Sequence, residues 1–244
     1  MTRSATVTNA GSEAVEGVRD RNSRRVLHAV REFVEEHGIE AASMRRMAAE
    51  AGVSVRTLYN HFGDRRAMLR ALVLASLDEI DLAFDDLQAT SPIERMWEAT
   101  SVAVDTIVGS LSPAVLTPVL DDHEMLLGLS HRWRLRDLLC DEIRAAQRAG
   151  QLYQDVEVPV LVEHITTVLD VLFRGWAAGA FDEAAVRAGA LHSLDVGLLA
   201  IARPRTRATL VAHARALSPP LPLPDVGTVR QPAGARTAAG SPRL

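Results

Sequence analysis

The chain has 244 residues, of which 48% are hydrophobic and only 4% aromatic, with a net charge of −4. A core of ample size must therefore be filled by Leu, Val and Ala, which favours helices over β-sandwiches. The one cysteine, Cys140, rules out an internal disulfide, and with no secretory signal at the start a cytoplasmic location is expected. The longest apolar run, near 158–180, is broken by Glu163, His164, Asp170 and Arg174, so no membrane partner is expected.

The charge is unevenly spread. There is no lysine, residues 24–74 carry nine Arg against six acids, and residues 75–203 carry nine Arg against 21 acids. A chain this acidic can meet nucleic acid only through a local basic patch.

Residues 1–22 are rich in Thr, Ser, Gly and Ala without a period, and are expected to form a disordered arm. Arg19, Arg21, Arg24 and Arg25 cluster at its end. They either reach DNA phosphates or the minor groove, or lie on a solvated tail. A first helix is predicted from near Ser23, with Val26, Leu27, Val30, Phe33 and Val34 as its apolar stripe and Gly38 as its stop. Ser43 is placed as the N-cap of a second helix, in which Met44, Met47, Ala48 and Ala51 share a face. Gly52 supplies the left-handed turn into a third helix, and Val53 plugs the core beneath it.

That third helix, Val55 to Phe62, sorts by angle at about 100° per residue. Val55, Leu58 and Phe62 fall on one stripe, with Tyr59 at its edge, and are expected to be buried. Arg56, Thr57, Asn60 and His61 fall on the opposite face. Arg suits guanine, Asn suits adenine, Thr a thymine methyl or a phosphate, and His acts as a donor. Any one of them reads as an ordinary solvated residue. Together on one face behind a Gly turn they read as a helix-turn-helix. Ser54 and Val55 open this helix beside the DNA, and Arg45, Arg46, Tyr59 and Arg65 are the candidates to hold phosphates. Arg65 and Arg66 sit in the first turn of the next helix, where cations are unfavourable unless an anion is near.

Residues 24–74 resemble the TetR family of transcriptional regulators. The stretches that carry the resemblance are Arg24-Arg-Val-Leu, Ser43-Met-Arg-Arg-Met-Ala, Ala51-Gly-Val-Ser, Thr57-Leu-Tyr-Asn-His-Phe and Met68-Leu-Arg-Ala-Leu-Val. Arg56 stands where the family usually has a small or basic residue, often Gly, and Arg65 where it often has Lys. The first departure bears on operator sequence; the second keeps the charge. The resemblance implies an all-α protein, with an N-terminal three-helix DNA-binding domain over 23–70 joined to a helical effector-binding and dimerisation domain over 71–203.

Beyond the motif, a connecting helix is predicted from Asp64 to about Gln88. Ser91-Pro92 opens the next helix, and Ser110–Pro113 is a break. Helices follow to Ala149, interrupted near Asp121–Ser130. Two long helices, Val158–Ala180 and Glu183–Ala202, are apolar nearly all round and call for a cover. A homodimer supplies one, as it does in the family. Residues 204–244, rich in Pro, Ala, Gly and Arg, are expected to be a disordered tail.

No catalytic constellation or cofactor loop is found, so no enzyme and no cofactor are expected. Asp121-Asp-His123-Glu124 has metal-ligand residue types, but neighbours on a helix do not converge on one ion, and a solvated helix end is the simpler reading. Phe84, Met96, Trp97, Met125, Trp133, Phe173 and Trp176 are either core or the lining of a cavity for a small apolar effector. The expected function is a ligand-responsive repressor acting as a homodimer on a palindromic double-stranded operator. The alternative is a helical small-molecule- or protein-binding module whose DNA-binding domain is vestigial.

Overall fold

The computed structural model describes residue 23, residues 25–130 and residues 132–217. The expectations for 1–22, Arg24 and 218–244 fall outside them. Among the described residues the chain is a succession of α-helices without a strand; one isolated bridge joins Leu152 to Ala202.

The N-terminal unit is α1 (residues 25–37), a 3-10 turn (Ile39–Ala41), α2 (Met44–Glu50) and α3 (Val55–Phe62). The starts are set by side-chain caps: Ser43 accepts from the Arg46 N–H and Ser54 from the Thr57 N–H. Gly52 makes the α2–α3 turn at φ 64°, a conformation that β-carbon crowding discourages in other residues. Val26, Val30, Phe33, Met47, Leu58 and Met68 are buried in this unit's core. Arg31 reaches from α1 to Ser76 (3.4 Å) and Glu79 (3.5 Å) on the next helix.

That helix, α4 (Arg65–Asp85), begins on an Asp64 cap and runs out of the basic region into the acidic one. Its buried face runs from Met68 through Leu72, Leu77 and Ile80 to Phe84. The rest is α5 (Pro92–Ser110), α6 (Pro113–Asp121), α7 (His123–Ser130), α8 (Arg134–Arg148), α9 (Val158–Ala177), α10 (Glu183–Leu199) and α11 (Pro204–Ala216). α5 packs against α4, α8 and α10, and α9 against α6, α8 and α10. No single helix among the described residues is long and apolar enough to cross a membrane; α5 and α6 together reach the length but are bent by 109°.

The expected tail is corrected at its start, because 204–216 is helical. Pro204 opens α11, and only Thr206 and Leu210 of that helix are buried, too few to show as a periodic stripe. A polar network holds it instead. Buried Asp195 of α10 accepts from Trp97 Nε1 at 2.7 Å and pairs with His213 Nδ1 at 2.7 Å, while the Trp97 ring stacks on His213 at 3.9 Å. Burial pushes the Asp195 carboxyl above its ordinary range, and His213 and Trp97 pull it partly back. Trp97→Phe leaves Asp195 Oδ1 without its donor, at an expected cost of about 1–3 kcal/mol. Urea unfolding followed by circular dichroism measures it, and an unchanged midpoint would mean that His213 alone satisfies the acid.

Candidate nucleic-acid interface and the joint behind it

The third helix, α3, is fastened less broadly than its angular pattern suggests. Leu58 is 0% exposed, whereas Val55 is 37% and Tyr59 50% exposed, and Phe62 is only half-buried. The expected buried stripe is thus corrected to a single deep anchor. α3 lies at the edge of a three-helix unit, packed on α2 and α4, so only the centre of its inner face is covered.

Arg56 and Asn60 are exposed, and among the described residues neither makes a hydrogen bond or ion pair. Arg45 is likewise exposed and unpaired. The remaining candidates have internal partners. Thr57 Oγ1 lies 2.7 Å from the capping Ser54 Oγ. His61 is half-buried, with Nδ1 3.3 Å from Ser23 Oγ. Arg46 lies over the Phe33 ring, 5.1 Å from its centroid. Arg65 donates to the Ile39 carbonyl at 2.6 Å, tying α4 to the 3-10 turn.

Arg66 has a different destination. Its Nε and Nη2 reach Asp122 at 2.5 and 2.8 Å, and Nη2 also reaches Glu124 at 3.0 Å. This is a fork of bonds from the first turn of α4 to the α6–α7 joint. Asp122 also accepts from the Met125 N–H, at the start of α7, and its carboxyl is held down to about 2, chiefly by the Arg66 hydrogen bond. The Asp121–Glu124 run is therefore an ion-pair hub, with Asp121 turned to Arg174 at 3.4 Å.

Of the seven large side chains expected around an effector, Trp133 and Phe173 line a common cavity of about 80 Å³, with Leu77, Ile107, Leu116, Leu120 and others from α4 to α9. Phe84, Met96 and Trp176 are core residues, Trp97 belongs to the Asp195 network, and Met125 borders the Arg66 cleft. Asp170, one of the charged residues that interrupt the apolar run of 158–180, stands in the cavity wall.

An exposed polar helix behind a glycine turn, carried on a basic unit and followed by an acidic helical domain, defines a helix-turn-helix DNA-binding transcriptional regulator. Comparison with known proteins agrees. Residues 26–72 match the sequence model of "Bacterial regulatory proteins, tetR family". The chain is 26% identical over 174 residues to the transcriptional repressor AcnR of Corynebacterium glutamicum, covering 68% of this chain and 88% of that one. Among solved structures, Thermus thermophilus FadR, a TetR-family repressor in complex with lauroyl-CoA, superposes with a TM-score of 0.54 at 18% identity, over 72% of this chain and 93% of its own. SmeT, the repressor of the Stenotrophomonas maltophilia multidrug efflux pump SmeDEF, gives 0.57 at 18%, over 75% and 92%. Residues 26–72 thus carry the sequence pattern of the tetR family of bacterial regulatory proteins, and the chain as a whole is similar in fold to TetR-family regulators.

Proposed function

We propose that the protein is a ligand-responsive repressor that binds a palindromic operator as a homodimer. The observation that carries this reading is the outer face of α3, where Arg56 and Asn60 stand exposed and unpaired beside Thr57. The helix enters the major groove, Arg56 and Asn60 read base edges, and Arg45, Arg46 and Tyr59 meet phosphates. His61 and Arg65 contribute through the atoms their internal partners leave free. Arg56→Ala is expected to weaken binding by about 1–3 kcal/mol at one base position only. A mobility-shift panel of operator variants tests this: an equal loss on every sequence would make Arg56 a phosphate contact.

Dimerisation is supported by apolar side chains left in solvent on the two long helices. Val160 and Val171 on α9 and Val196 on α10 are all exposed, which is costly for a helix pair standing alone. A two-fold pairing through α9 and α10 covers them and sets two reading helices on two half-sites. The double variant Val171→Glu/Val196→Glu is expected to sediment as a monomer and to lose operator retardation at low nanomolar concentration. A dimer that persisted would move the interface elsewhere.

The small cavity supports a response to a small apolar effector. Ligand pockets usually occupy about 300–1,000 Å³, so the space of about 80 Å³ must widen to admit one. Its walls include Leu116, Val119 and Leu120 of α6 and Leu126 and Leu129 of α7. These flank Asp122, which holds Arg66 at the foot of the reading unit. A ligand that favours the widened state shifts the heads through this joint by its difference in affinity for the two states.

A further inference from the structure

The cavity wall contains one charged side chain, and that side chain lacks a counter-charge of its own. Asp170 projects from α9 into a lining otherwise made of Leu, Val, Ile, Phe and Trp. The arginines nearest in charge, Arg174 and Arg136, are both engaged elsewhere. Arg174 pairs with Asp121 and donates to the Leu120 carbonyl, and Arg136 pairs with Glu163. Among the described residues nothing donates a hydrogen bond to Asp170. Burial is the leading influence on its carboxyl and pushes its pKa up, with Arg174 only partly opposing. On the same lining, the Trp133 Nε1 donor is buried without an acceptor. Unsatisfied polar groups in an apolar wall oppose folding, and a perturbed acid in a cavity is where a ligand supplies the missing partner.

We propose that this cavity takes an apolar molecule bearing a protonated amine, with the ammonium group set against the Asp170 carboxylate and the hydrocarbon body between α6 and α9. This rests on the reading of the cavity as the effector site and narrows its ligand class. Carboxylates of the same size are disfavoured, because the wall offers them a like charge and no free cation. A neutral alcohol gains the apolar contact but not the ion pair.

The test is a calorimetric titration of the full chain at neutral pH with four probes of one shape: benzylammonium, benzyl alcohol, benzoate and toluene. Benzylammonium is expected to bind at least about tenfold more tightly than benzyl alcohol, and benzoate not to bind detectably. Asp170→Asn is expected to abolish the preference for benzylammonium while benzyl alcohol still binds. Val119→Phe, which fills the cavity, is expected to block every probe. If benzoate matches benzylammonium, or the preference survives Asp170→Asn, the ammonium assignment falls and the cavity remains an effector site. If no probe binds, or binding survives Val119→Phe, the effector reading of the cavity falls with it.

Discussion

Leu58→Ala is expected to destabilise the N-terminal unit by about 2–5 kcal/mol and to abolish operator retardation. Leu58 alone of the α3 side chains is fully enclosed, and it packs in the core with Met47 and Met68. Removing it empties the deepest socket under α3, and a unit of four short elements has little other core with which to compensate. Val55→Ala, at a position 37% exposed, is the matched control, with an expected cost below about 1 kcal/mol. Thermal unfolding alongside a mobility-shift titration separates the two. Equal losses at both positions would mean that α3 is held by a broad stripe rather than a single anchor.

The second large effect is expected at the joint. Arg66→Ala should leave α3 folded but uncouple it from the cavity, so that a ligand which releases wild-type protein from its operator releases the variant far less. Asp122→Asn retains an oxygen for the Met125 N–H while removing the charge, and should do the same. Arg66→Lys should be intermediate, because an ammonium cannot reproduce the two-pronged contact with Asp122. Unchanged release by all three variants would show that coupling runs through α4 packing instead. The pair also has a defined pH range. The Asp122 carboxyl is lowered from its ordinary 3.8 to about 2 in the folded state. Its contribution is therefore complete above about pH 4 and is lost as pH falls through about 2. Release measured between pH 5 and 8 should show no dependence from this pair.

Much of the organisation was legible along the chain. Ser43, Ser54, Asp64 and Ser91 mark helix starts, and all four accept a backbone N–H there. Gly38, Gly52, Gly63 and Gly150 mark turns and all have positive φ. These are local effects, decided within one turn of helix, so residue order reveals them. The exposed face of α3 was legible for the same reason, since Arg56 and Asn60 need only the helical repeat to share a side.

What the sequence alone determined is the helix-turn-helix, its Gly turn, the polar face of α3 and the contrast between a basic head and an acidic body. Only the tertiary structure decided the rest. It left Val55 and Tyr59 exposed, because burial depends on how wide a neighbouring helix is and not on the stripe it meets. It held α11 through Asp195 and His213, 18 residues apart, where a periodic apolar signal was lacking. It gave Arg66, whose place in the first turn of α4 calls for a nearby anion, an acid 56 residues away as its partner, and made Asp170 part of a cavity wall. Charge pairing and cavities arise between elements distant in the chain, and their partners are chosen by packing, which no local pattern encodes.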